Sequence, residues 1–174
     1  MMRNVIVMII IVLFHFPFYA QLTIENGTSN YTIDFDATLQ NVNSGSFNGS
    51  GFTSNPNSGE LDTDAWASTG WSDGAKDFGI ANTTGDYARG VSSGGVSTGG
   101  IYSFDVGGNQ ALGIQPGGSD FTPGTITLKM VNNSSAIINV IDLSYLIYIF
   151  NDQSRSNSFN FSYSIDNNLS LIHI

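Results

Sequence analysis

The sequence predicts an all-β fold, a β-sandwich of jelly-roll type with about eight to ten short strands. Three observations point to it. Apolar residues recur at period two, and no stretch sustains helical spacing. Turn residues punctuate the chain: Asn-Gly at 26–27 and 48–49, Asp-Gly at 73–74, and Pro-Gly at 116–117 and 123–124. Charge is scarce, with 5 Lys+Arg and 14 Asp+Glu in 174 residues, or 11% charged, where soluble domains carry about 25%. Gly, Ser, Asn and Thr stand in its place. A hydrophobic fraction of 41% is enough for a core, so the low charge does not mean disorder.

The first element is a leader. Arg3 precedes VIVMIIIVLFHFPFYA (5–20), an uncharged apolar run that ends at Ala20 before the chain turns polar at Gln21. One cation before about 15 apolar residues is the pattern of a secretory signal peptide, here assigned to 1–20. The alternative, an uncleaved membrane anchor, needs about 20 apolar residues, and Pro17 disfavours it. The expectation is therefore a secreted or cell-surface protein, with no membrane association after cleavage.

Strands follow in order. In YTIDF (31–35) Tyr31, Ile33 and Phe35 share a face. Shorter strands are expected at Ala65–Thr69, Tyr87–Val91, Ile101–Val106 and Ala111–Gln115. In TITLKMV (125–131) Ile126, Leu128 and Met130 oppose Thr125, Thr127 and Lys129. AIINVIDLSYLIYIF (136–150), apolar on both faces and rich in β-branched and aromatic residues, predicts a central strand covered on both sides. SFNFSYSI (158–165) alternates again, with Phe159, Phe161, Tyr163 and Ile165 on one face. The Gly/Ser stretch GVSSGGVSTGG (90–100) reads as a surface loop or a glycine-tolerant edge. The domain is assigned to 21–168. LSLIHI (169–174) breaks the alternation and reads as a non-native tail, so the domain is expected to be truncated, with an exposed strand edge.

Much chemistry is excluded by composition. A net charge of −9 disfavours any grip on nucleic acid phosphates. No cysteine means no disulfide, zinc–thiolate site or thiol nucleophile. His15 lies in the leader and His173 at the chain's end, so no Ser–His–Asp arrangement is expected. The glycine clusters lack the Gly-Lys-Ser/Thr and the strand–helix context of a phosphate cradle. Glu25, Glu60 and the loop aspartates read as solvated acids rather than a glycosidase pair. ELDTD (60–64) and DGAKD (73–77) place Asp62, Asp64, Asp73 and Asp77 in flexible loops, a candidate set of oxygen ligands for a structural Ca2+. Both tryptophans fall in AWASTGWSDG (65–74). Trp66, on a strand, reads first as a core residue. Trp71, between Gly70 and Ser72, reads as the more exposed one. With Asp73 they form a candidate sugar-binding constellation, rings stacking on the sugar and the carboxylate taking hydroxyls. Asp86/Arg89 and Asp152/Arg155, each three apart, read as loop ties.

Three phrases carry a wider resemblance: GFTSNPNSGELDTDAWASTGWSDG, TTGDYARGVSSGGVSTGGIYSFDVGGNQALGIQPGGSDFTPGTITLKMVNNS and IYIFNDQSRSNSFNFSYSIDN. From Tyr31 to Asn167 the chain resembles an accessory domain near the N-terminus of secreted multidomain bacterial proteins. Such proteins continue into fibronectin-type or lamin-tail-like modules, a hydrolase or nuclease, and a secretion-sorting domain. The resemblance implies downstream domains of the same protein as partners, alongside a polysaccharide or cell-surface ligand, and supplies no catalytic residues. The expected function is a non-catalytic module for surface or carbohydrate binding or for spacing. The alternative is an N-terminal appendage of a hydrolase or nuclease.

Overall fold

The computed structural model describes residues 21–26, 30–150, 158–166 and 169–173. The leader, Gly27 of the Asn-Gly turn and the Asp152/Arg155 pair lie outside the described residues. The fold is all-β, a sandwich whose sheets mix parallel and antiparallel pairings. No helix among the described residues is long and apolar enough to cross a membrane.

Eleven strands are described: β1 (Leu22–Ile24), β2 (Phe52–Thr53), β3 (Leu61–Asp62), β4 (Trp66–Trp71), β5 (Gly74–Lys76), β6 (Val91–Ser92), β7 (Gly100–Val106), β8 (Asn109–Gln115), β9 (Thr125–Asn132), β10 (Ser162–Asp166) and β11 (Leu169–His173). The large sheet runs β10-β11-β9-β4-β5, with β1 also on β9. β9 is its axis. β11 spans Thr127–Val131 of β9 antiparallel, while β4 covers Thr125–Leu128 and β1 covers Met130–Asn132. Since β11 overlaps both of the others and a strand has two edges, β4 and β1 share the opposite edge. β2 pairs β3 in parallel, and β6-β7-β8 form a third sheet. β7 and β8 join through Gly107 and Gly108 at φ 66 and 96, the two positive values that a tight hairpin of the right twist demands.

One core lies between these sheets. Ile126, Leu128 and Met130 of β9, Trp66 and Trp71 of β4, Ile101 of β7, Leu22 of β1, Phe52 of β2 and Leu61 of β3 meet Val42, Phe47 and Tyr87 from the loops. Burying each of the larger side chains stabilises the fold by about 1.5–3 kcal/mol. On β9 Ile126, Leu128 and Met130 lie inside as the alternation predicts and Lys129 and Val131 are only partly covered, but Thr127, between Ile126 and Leu128, is buried as well.

The expected strand at 31–35 forms no ladder, although Ile33 and Phe35 still pack on the core. Phe35 lies 6.2 Å from Phe47 and 6.1 Å from Trp66, ring centre to ring centre. Tyr87–Val91 divides into a 3-10 turn at Gly85–Tyr87 and the edge strand β6. Of 158–165 only the last residues enter β10, and Phe159, Phe161, Tyr163 and Ile165 are exposed. The largest correction concerns 136–150, which is neither a strand nor covered: Ile137 is 84% exposed and Leu146 83%. Period two reports a preference for extended backbone, whereas strand formation also needs a free neighbour. Both edges of the preceding strand, β9, are taken.

The main irregularity sits in β4. Ser68 pairs Lys76 and Trp71 pairs Gly74, so three steps on β4 match two on β5, a β-bulge. Gly70 within it has φ 87, and a Cβ there would overlap Pro123 O and Gly124 Cα. The extra residue switches the inward-facing parity, so Trp66 and Trp71, five apart, both point into the core. Gly70→Ala is expected to cost about 1–3 kcal/mol, and more than Gly107→Ala, where the same φ region opens on empty space. Urea unfolding followed by tryptophan fluorescence measures both; equal losses would remove the bulge from this role.

Candidate functional site

Two loops packed on β3 border an open surface cleft of about 330 Å³. The first wall is the turn Leu39–Asn43. Val42 N–H and Asn43 N–H both donate to Leu39 O, at 3.0 and 3.1 Å. The buried Asn43 amide accepts from Leu39 N–H at 3.0 Å and donates to Ala37 O at 2.6 Å and Gly45 O at 3.0 Å. Val42, fully buried, anchors the turn, and its carbonyl accepts from Trp66 Nε1 at 3.1 Å. Asn41 takes φ 64, a region that asparagine tolerates better than most residues.

The second wall, 54–57, is held by one carboxylate. Glu60 Oε2 accepts from Thr53 Oγ1 at 2.9 Å, Asn57 N–H at 2.8 Å and Asn57 Nδ2 at 3.2 Å. The walls are tied together by Ser44 N–H donating to Glu60 O at 3.1 Å and Asp62 N–H to Val42 O at 2.9 Å. Both loops are therefore fixed from within, one by the Asn43 amide and the other by the Glu60 carboxylate.

Of the residues that line the cleft, Thr38 and Asn43 are hydrogen-bonded within the first wall. Gln40, Asn41, Ser44, Ser54 and Asn55 line the cleft, and among the described residues none of the five side chains has a hydrogen-bond partner in the protein. Asp62 forms the floor and is 3% exposed. Its Oδ1 accepts from Asp64 N–H at 2.9 Å. Burial pushes its carboxyl from 3.8 up to about 6 and Asp64 adds to the rise, while the Asp64 N–H and the Lys76 charge pull it back.

Lys76 lies behind the floor and is fully buried. Its Nζ donates to Trp66 O at 2.6 Å, Thr63 Oγ1 at 2.7 Å, Thr63 O at 3.1 Å and Asp77 O at 3.2 Å. It also sits 4.9 Å from the centre of the Phe52 ring, within reach of a cation–π attraction. Burial lowers its ammonium from 10.5 to about 8, opposed by the negative charges of Asp64, Asp62 and Asp77.

Of the residues singled out from the sequence, Trp66 lies in the core as its strand position suggests, and Trp71 is buried with it. Trp66 is 1% exposed and Trp71 6%, so neither offers a face to a sugar ring. Trp71 Nε1 donates to Ser68 Oγ at 2.7 Å, and its ring packs 5.0 Å from Phe121 and 6.2 Å from Tyr87. The bulge at Gly70 is the cause. Asp73 belongs to a separate lock: its Oδ2 accepts from Asp86 N–H at 2.9 Å, and Asp86 Oδ2 accepts in return from Asp73 N–H and Ser72 Oγ, both at 3.0 Å. Arg89 Nη2 donates to Asp86 Oδ1 at 2.6 Å and Arg89 Nε to Gly99 O at 2.8 Å, the expected loop tie. Ser72 N–H and its hydroxyl hold the Asp120 carboxyl below the usual range. The four aspartates therefore divide between two places, Asp73 in this lock and Asp62, Asp64 and Asp77 around Lys76. Among the described residues no three acids or histidines gather as a group able to hold a metal ion.

No protein-family model, curated protein or solved structure matches the chain. The cleft residues carry no sequence motif. Their one signal is the pair of Asn/Ser-rich loops LQNVNSGS and SNPNSGE, which only the fold brings together.

Asp62 ionises near 3.8 in the unfolded chain and near 6 in the folded one, so between these values the folded state holds the extra proton. Its stabilising contribution is thus complete below the lower value and lost as pH rises through the upper. Asp62→Asn keeps an oxygen for the Asp64 N–H without the buried charge. The variant is expected to be more stable than the parent at pH 7, with the gap closing towards pH 4, in urea titrations at the two pH values. A variant less stable at pH 7 would contradict the assignment.

Proposed function

We propose that the chain is a secreted, non-catalytic β-sandwich module that binds neutral polysaccharide or a glycan-bearing cell surface through the cleft above Asp62, as an accessory part of a larger exported protein. The observation that carries this reading is the convergence of five unpartnered amide and hydroxyl side chains on an open cleft with walls already fixed. Sugar hydroxyls both donate and accept, and amides and hydroxyls answer both roles. A preformed cleft also avoids the ordering cost of binding. One buried carboxyl on the floor adds an acceptor stronger than a neutral group once it is ionised. The overall negative charge favours a neutral ligand over an acidic one. Export fits the apolar leader.

The test is calorimetric titration of the folded domain with gluco-, xylo-, manno- and chito-oligosaccharides. Binding by at least one is expected, weakened about tenfold or more in Gln40→Ala/Asn55→Ala, since each lost hydrogen bond costs about 1 kcal/mol. Trp71→Phe is expected to bind as the parent does. Binding that fails with Trp71→Phe but survives the double change, or no binding by the folded domain, would overturn the proposal.

A further inference from the structure

The run 137–150 is the largest feature that the core and the cleft leave unused. Ten large apolar side chains between Ile137 and Phe150 are exposed, from 42% for Phe150 to 84% for Ile137. Among the described residues the backbone of 137–150 makes no hydrogen bond. The run contains one charge, Asp142, and no Gly or Pro. It is not a loose tail. One end leaves β9 at Asn132, and the other is held by Phe150, whose ring stacks on Phe104 at 5.2 Å, with Tyr102 stacked on Phe104 at 5.5 Å. Tyr145 stacks on Phe161 at 6.2 Å and extends the patch.

We infer that two copies of the chain associate through this run, each 137–149 segment pairing antiparallel with its counterpart about a two-fold axis at Leu143. Three arguments lead to a second copy as the occupant. The first is exposure: ten such side chains present about 1,000 Å², far above an ordinary surface patch, divided between the two faces of the extended run. The second is register. Pairing about Leu143 sets Ile137 against Ile149, Ile141 against Tyr145 and Asp142 against Ser144. A parallel in-register pair would set Asp142 against itself, a like-charge contact that costs stability. Antiparallel pairing about an axis also closes on two copies rather than propagating. The third is the backbone: 137–150 has extended-chain preference and unmade hydrogen bonds, while the edges of β9 are filled from its own chain. The fixed ends lower the ordering cost of association.

Sedimentation velocity on the full chain tests this directly. The parent is expected to be a dimer at micromolar concentration. Leu143→Asp and Leu143→Lys, which place like charges face to face on the axis, are each expected to be monomeric. An equimolar mixture of the two is expected to dimerise again. The buried Trp66 and Trp71 report folding, so an unchanged fluorescence maximum separates loss of pairing from loss of fold. A monomeric parent, an open series of larger species, a dimer that survives Leu143→Asp (as association through residues 5–20 would), or folded variants that do not dimerise on mixing would overturn the inference.

Discussion

One buried ammonium organises the part of the molecule that matters for function. Lys76 places its charge among four oxygen atoms, with Phe52 beneath it. Removing an ammonium from water is costly unless its hydrogen bonds are replaced, and here three of the four replacements come from the corner between β3 and β4 and the fourth from Asp77 O. That corner, Thr63 to Trp66, carries Asp62 on one side and the indole that holds Val42 on the other. Phe52 leads into the opposite wall of the cleft. The two walls and the floor therefore refer to the same cation, and the cleft has its shape before any ligand arrives.

The same arrangement explains the calcium expectation. Acidic residues spaced two apart in loops signal a need for positive charge nearby. In the sequence an ion and a lysine meet that need equally well, and Lys76 lies between Asp73 and Asp77. In the fold Lys76 is buried beside Asp62, Asp64 and Asp77, and Asp73 turns towards Asp86. The remaining charge that the core tolerates is likewise paired, as in Arg89 with Asp86. Scarce charge is placed charge in this chain.

What could be read from the sequence was what depends on neighbours along the chain. The strands 101–106, 111–115 and 125–131 and the inward set Ile126, Leu128 and Met130 follow from period two and from turn residues. Reading failed where distant partners decide. The flanking Gly70 and Ser72 marked Trp71 as the more exposed tryptophan, but a bulge at Gly70, where Pro123 comes close, returns it to the core. The pattern at 136–150 gave the right backbone preference and the wrong burial, because the adjoining sheet edges belong to β4, β1 and β11. Gln40, Asn41, Ser44, Ser54 and Asn55 looked like ordinary loop residues. Their distinction is to converge without partners, a property of the fold alone.

The claim on which the cleft depends is that Lys76 is a fully buried, oxygen-caged ammonium, and it can be tested at a single atom. The chain has two lysines, Lys76 and Lys129, so in Lys129→Arg the Lys76 side chain gives the one lysine Cε signal in a carbon–proton correlation spectrum. Following that signal with pH should show one inflection near 8, the value to which burial lowers the group. An inflection near the ordinary 10.5 would place the ammonium in water and contradict the account.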